Sequence, residues 1–374
     1  MELILRAERL REARILRGLS QSELATNLGV TKQAISQYEN GIIVPKADVL
    51  SQIISELDMP ISYFSKPDDI KILTPIFFRK GKTAKKKNTD IFEIFIKWTI
   101  EIYAYLEKIL KFPQVNLIRG NKNRYSFEEI NEYSIKLRRL WGLGNGPINN
   151  LNLLLENNGF IIAKTPLPAE RVDACSVYFT SSDIENRPMI FLTSSTSAVR
   201  FRRDLLHETA HQVLHSWMSK EDFEENKETI EREAEIFASC FLMPSESMAK
   251  EKFVVDSLEG LLHLKRRWGA SAQAILYHLK LLELIDDRLF ERLRSNMYAR
   301  GWRKKEPYDE EIKQEFPELL KDALMALVDN NIKSPKEILE DFSLPPDDIL
   351  KLCNLQEEFF DGLNQKKYSL RFVK

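Results

Sequence analysis

The sequence has little of what marks several whole classes of protein. Its 374 residues include three cysteines, Cys175, Cys240 and Cys353. An odd, widely spaced set of this kind cannot form a disulfide framework. Thirteen glycines exclude collagen-like and Gly-rich low-complexity chains. Net charge is almost absent: 55 Lys+Arg against 56 Asp+Glu leaves −1, so no global field favours one class of charged partner. A long uncharged apolar run is missing too. The most apolar stretch, IFEIFIKWTIEIYAYL, carries Glu93, Lys97 and Glu101 at steps of four, a charged helix stripe rather than a membrane span. The opening MELILRAERLREARILRG is broken by charges and does not read as a signal peptide. With 43% hydrophobic and 30% charged residues, the expectation is a soluble, cytoplasmic, multidomain chain with no membrane partner.

Neutrality hides a local bias. Residues 1–90 hold 15 Lys+Arg against 11 Asp+Glu, and RKGKTAKKK (79–87) supplies most of the excess. Such a run is a solvated linker or the edge of a nucleic-acid-binding module, and charge alone does not separate the two. Residues 1–65 read as helices punctuated by Gly18, Gly29 and Gly41. Residues 91–140 read as amphipathic helices interrupted at Pro113 and at GNKNRYS. WGLGNGPI (141–148) cannot continue a helix and marks a boundary. Beyond it, GFIIAK, ACSVYFT and PMIFLT read as strands, and 198–216 and 229–243 as long helices. The fold class expected is mostly α and multidomain, with a central α+β module between helical flanks.

The N-terminal helices carry a specific pattern. Ser20 with Glu23 forms a capping box, Gly29 is placed for a left-handed turn, and Thr31 caps the next helix. Two short helices about a glycine turn make a helix-turn-helix, whose second helix enters a major groove. Its inner side is Ala34, Ile35 and Tyr38. Its outer side, Thr31, Lys32, Gln33, Ser36 and Gln37, has the polar groups that reach base edges and phosphates. Gln21, at the start of the preceding helix, is placed for a phosphate contact. LSQSELATNLGVTKQAISQYENG with the following P-x-x-x-x-L resembles the phage-repressor (Cro/C1, XRE) family. That resemblance implies a double-stranded DNA operator, read as a pseudo-palindrome by a homodimer.

Three of the five histidines fall close together, at His207, His211 and His215. In H207-E208-T209-A210-H211 the first and last residues share one helix face, as two ligands of one tetrahedral Zn²⁺ must. Glu208 flanks the site without ligating and can take the proton of the attacking water. A third ligand is expected from TIEREAEIFASCFLMP (229–244), where Glu231, Glu233 and Glu235 compete. Glu231 lies about 50° from the centre of the apolar face, and the other two roughly 90–110° away. Glu231 is therefore the expected ligand, with Glu233 and Glu235 on a solvated face. Tyr178 and His215 are candidate oxyanion donors, and Cys175 reads as a buried structural thiol.

HETAHQVLH followed by EREAExFAxxFLMP resembles the ImmA/IrrE zinc metallopeptidase family, as do VDACSVYF and RPMIFLTSS upstream. With FFRKGKTAKKK, WGLGNGPI, LKRRWGASAQAILYHLKLLELID and RGWRKKEP, the resemblance extends over about residues 1–310. Two positions depart from the family: Ala210 stands where Gly is usual, and Glu235 where a shorter Asn or Asp is usual. The domains expected are a helix-turn-helix domain at 1–65, a basic linker and helical connector at 66–140 and a zincin-like α+β metallopeptidase domain at 141–256. A helix-turn-helix-like segment at 257–306 and a helical tail at 307–374 follow. The resemblance implies one Zn²⁺ per chain, held by His207, His211 and Glu231 with Glu208 as base. It also implies an endopeptidase that cleaves a repressor or antitoxin-type protein in a stress, prophage or defence response. The alternative is a regulator or antitoxin whose metal domain is structural or sensory. An intact Glu208 favours the enzyme.

Overall fold

The computed structural model describes residues 5–67, 71–72, 86–168, 174–181, 184–194, 197–303 and 305–360. Most of the basic run at 79–87 lies outside them. The protein is mostly helical and built around two hydrophobic cores on opposite faces of one small sheet. Helices α1 (Ala7–Leu16), α2 (Gln21–Asn27), α3 (Lys32–Glu39) and α4 (Ala47–Leu57) form the N-terminal bundle. The Ser20–Glu23 capping box is complete, and the Thr31 hydroxyl accepts from Ala34 N. Gly29 sits at φ +66°, a left-handed conformation that L side chains rarely adopt, and so turns the chain sharply between α2 and α3.

Strands β1 (Lys71–Ile72), β2 (Ile161–Pro168), β3 (Ala174–Ser181) and β4 (Ile184–Ser194) form a sheet in the order β1-β3-β4-β2. The β2–β4 pair is parallel and the others antiparallel. Period-two alternation sends Ile161, Ala163, Cys175, Val177, Met189 and Phe191 to one core. Ile162, Ala174, Ile190 and Leu192 go to the other.

The first core is shared by the N-terminal bundle, α5 (Lys86–Glu107), the sheet and the tail. The tail contributes α14 (Leu319–Asp329), α15 (Pro335–Phe342) and α16 (Pro346–Leu352). Helix α5 forms part of this core: Phe92, Ile96, Trp98 and Tyr103 are fully buried. The second core gathers α6 (Phe127–Leu140), α7 (Leu151–Asn157), α8 (Ala198–Ala210) and α9 (Lys220–Leu242). It continues through α10 (Ser245–Glu251), α11 (Leu258–Trp268), α12 (Ala272–Leu281) and α13 (Asp287–Ala299). Helix α7, unanticipated in the sequence, is capped by the Asn150 side chain and packs on β2. Among the described residues no helix is long and apolar enough to cross a membrane.

Candidate metal centre and DNA-reading helix

Helix α3 leans on α2 and α1 with Ile35 fully buried. Thr31, Lys32 and Gln33 are exposed, and Ser36 and Gln37 are partly so. The Ser36 carbonyl and hydroxyl accept from Asn40 Nδ2. Gln21 behaves differently from the other five candidates, since its Nε2 donates to Glu39 Oε2 at 2.8 Å. Glu39 is buried and takes Arg14 through two hydrogen bonds, of 2.5 and 2.9 Å. Gln21 is thereby tied to the pair that clamps α1 against α3.

Helix α8 packs closely along α9 across Ala234 and Ala238, both almost fully buried. The close approach brings three ligand-type side chains together. His207 Nε2 and His211 Nε2 lie 3.1 Å apart. Glu231 Oε2 is 3.3 Å from His207 Nε2, and its Oε1 is 3.9 Å from His211 Nε2. All three groups lie within 4.8 Å of one another. Two Zn–N bonds of about 2.0–2.1 Å at a tetrahedral angle separate their nitrogens by about 3.3 Å, so the cluster has the span of one ion. Glu208, 1% exposed, sits beside it. Burial lowers the affinity of His207 for a proton, but hydrogen bonds to Glu231 and Glu235 and the charge of Glu208 outweigh it and lift its pKa to about 9.

The outer nitrogens of both imidazoles have polar neighbours as well. Glu235 Oε1 stands 3.3 Å from His207 Nδ1, close enough for its charge to act on that ring nitrogen. On the other side a relay runs through the helix. Tyr125 N donates to Glu233 Oε1 at 3.0 Å. Glu233 Oε2 lies 3.1 Å from His215 Nε2, and His215 Nδ1 lies 3.1 Å from His211 Nδ1. Glu233 can only accept from His215 Nε2–H, so His215 Nδ1 is an acceptor and takes the proton of His211 Nδ1. His211 Nε2 is then left with its lone pair toward Glu231 and His207. The chain winds as a π-turn over His211–His215, bringing the two rings within reach of each other.

Two expectations are corrected here. Glu233 is not on a solvated face: it is 2% exposed. The helical wheel counted only the face toward α8, whereas α6 and the segment before it cover a second face of α9. His215 is not available as an oxyanion donor, because both its ring nitrogens are engaged inside the relay. The side chain of Tyr178 lies outside the described residues. Cys175 is fully buried on the α5 side of the sheet, and burial, with the charge of Glu208, pushes its thiol pKa up.

Two family models match the chain: a helix-turn-helix model over residues 10–64 and the IrrE N-terminal-like domain of peptidase family M78 over residues 161–280. The chain carries an XRE-type helix-turn-helix domain and an IrrE-like peptidase-family domain. The IrrE-like match runs from β2 to α12 and so contains the whole histidine–glutamate cluster. No curated protein matches the chain. Among solved structures, Bacillus thuringiensis PlcR in complex with the peptide PapR7 and DNA aligns over 96% of this chain and 94% of its own at 12% identity. With a TM-score of 0.16 the two do not superpose as wholes. Within the IrrE-like domain, the position of Glu235 acquires a use. Its longer side chain spans from His207 to Arg203, which it holds through two hydrogen bonds. Ala210 is fully buried and is the last residue of α8 before the π-turn.

Proposed function

We propose that this protein is a DNA-binding transcriptional regulator whose IrrE-like domain is a zinc-dependent endopeptidase. Its substrate would be a repressor or antitoxin-type partner protein, and its DNA contacts would come from Gln21, Thr31, Lys32, Gln33, Ser36 and Gln37. The observation that supports the catalytic reading best is the convergence of His207 Nε2, His211 Nε2 and Glu231, with Glu235 behind His207 and the His215–Glu233 pair behind His211. His₂Glu is a zinc-type donor set with room for a fourth position, although such a set also holds other divalent ions. When bound, the metal polarises a scissile carbonyl and acidifies water. The chain's own contribution is proton handling. Glu208 takes the proton of the attacking water and returns it to the leaving amine. A carboxylate buried there is costly, and a purely structural site has no use for it.

The test is elemental analysis of wild type, His207→Ala and Glu231→Ala, joined to a cleavage assay on Glu208→Gln with candidate repressors. About one zinc per chain is expected in wild type, lost in both ligand variants and kept in Glu208→Gln. Cleavage should fall by a factor of about 10²–10⁴ in Glu208→Gln. Wild-type turnover by that variant would remove Glu208 as the base, and metal-free wild type would remove the enzyme reading.

A further inference from the structure

Toward the N-terminus of α8, upstream of His207, the space between α8 and α9 opens into a cleft of about 690 Å³. Helix α12 forms its far wall, and Trp302 and Arg303 lie at its edge. That volume lies within the range of small-molecule sites. We propose that the cleft binds a small amphipathic anion. Its phosphate or carboxylate would lie against the arginines and its flat apolar body against Tyr277 and Leu281. Its occupancy would act on His207 through Arg203 and Glu235.

The charge inventory carries the first half. Three carboxylates line the cleft, Glu235, Glu306 and Asp309, and each is satisfied from within the protein. Glu306 accepts from Lys265 Nζ at 2.9 Å, from Ala272 N at 2.7 Å and from Gln273 N at 3.1 Å. Asp309 accepts from the same Lys265 at 2.5 Å and from Glu306 N at 2.9 Å. Glu235 is taken by Arg203. The lining guanidiniums are not balanced in the same way. Arg200 reaches the buried Asp204 at 3.7 Å. Arg232 and Arg303 are exposed, and among the described residues neither has a carboxylate within ion-pair distance. A planar guanidinium fork is suited to a phosphate or carboxylate. Beside these cations the cleft shows apolar surface: Tyr277 is 44% and Leu281 39% exposed. A ligand that satisfies both features is anionic at one end and apolar at the other.

The second half rests on the metal reading above. Glu235 is shared between the cleft and the cluster, with Arg203 on one side and His207 Nδ1 at 3.3 Å on the other. An anion that draws Arg203 toward itself leaves the Glu235 charge to His207 alone, which makes that imidazole a stronger donor to a metal. By reciprocity the metal then changes anion affinity by the same factor.

The probe is anilinonaphthalene sulfonate, an aromatic anion that fluoresces on binding, titrated into the metal-free full-length chain. Saturable one-to-one binding is expected, weakened about tenfold or more in Arg232→Gln/Arg303→Gln and unchanged in the exposed control Arg139→Gln. Equal binding by wild type and the double variant overturns the site. Displacement of the dye by adenosine monophosphate assigns a phosphate head, and displacement by decanoate a carboxylate head. Displacement by neither at millimolar concentration, or only by an acidic peptide, overturns the small-ligand proposal, the latter in favour of a substrate subsite. Cobalt(II) absorbance then tests the coupling. With dye bound, Co²⁺ affinity should shift about threefold or more in wild type and stay constant in Glu235→Gln. Unshifted Co²⁺ affinity in wild type overturns the coupling. Failure of Co²⁺ to bind at all overturns the metal reading and leaves the dye-binding result standing.

Discussion

The relay behind His211 turns on where single protons sit. Glu233 Oε1 is already committed to Tyr125 N–H, so a Gln at 233 must keep its carbonyl oxygen there. Its amide nitrogen would then face His215 Nε2, which becomes an acceptor. His215 Nδ1 carries the proton instead and donates to His211 Nδ1. His211 is left protonated at Nε2, the nitrogen that faces Glu231. Glu233→Gln should therefore weaken zinc binding about 10–100-fold with the fold intact. Competition with a chromogenic chelator at neutral pH measures it, and wild-type affinity would refute the relay. The sequence made part of this site legible. The His207–Glu208–His211 spacing and the wheel position of Glu231 follow from local helical geometry. Glu233 did not follow, because its burial depends on α6 covering α9, a tertiary contact that no helical period encodes.

Elements were readable where their ends carry chemistry. Ser20 and Thr31 are N-caps in the sequence and in the structure. Helix α7 was missed because its seven residues, LNLLLEN, make only about two turns, too few to show a clean period. In α3 the side chains proposed to read DNA are separate from those that hold the helix, Ile35 and Glu39. Gln33→Ala and Gln37→Ala should each cost about 1–3 kcal/mol of operator binding without changing metal content. Unchanged gel shifts would count against α3 as the reading helix. The start of α14 offers a pH test. Glu156 Oε1 accepts from Glu318 N at 3.0 Å and Leu319 N at 3.1 Å, and Oε2 accepts from Asn152 Nδ2 at 2.9 Å. Burial raises its pKa from 4.5 to about 7, against the pull of the backbone donors. The folded chain thus keeps this proton up to about pH 7 and the unfolded chain only to about 4.5. Its contribution to stability is complete below pH 4.5 and is lost as pH rises through 7. Glu156→Gln retains the backbone contacts and cannot ionise. Between pH 5 and pH 8, denaturant midpoints of wild type should fall relative to the variant by the equivalent of about 3 kcal/mol. Parallel pH profiles would show that Glu156 ionises normally.

At the scale of the whole molecule, the two family domains are joined by packing as well as by the chain. Arg9 Nη2 reaches Glu101 at 2.5 Å, Lys66 Nζ reaches it at 2.7 Å, and Lys97 Nζ reaches Glu12 at 2.8 Å. Tyr63 donates to Glu12 at 3.1 Å inside the same network. Helix α5 therefore binds the N-terminal bundle through charges while its apolar residues pack against β2 and β4. The tail closes the same core: Lys66 Nζ also donates to the Phe342 carbonyl at 3.0 Å, and Tyr105 donates to Asp341 at 2.5 Å. One core that spans the N-terminal bundle, α5 and the tail should open as one unit, separate from the core around α8 and α9. Glu101→Ala takes a carboxylate from both Lys66 and the fully buried Arg9, leaving Arg9 with the Glu12 carboxylate alone at 3.1 Å. Breaking a buried pair from one side costs about 3–5 kcal/mol. Native-state hydrogen exchange should show α1, α5 and α14 losing protection together by about that amount, with α8 and α9 unchanged. Loss confined to α1, with α5 and α14 still protected, would mean that the DNA-binding bundle opens on its own.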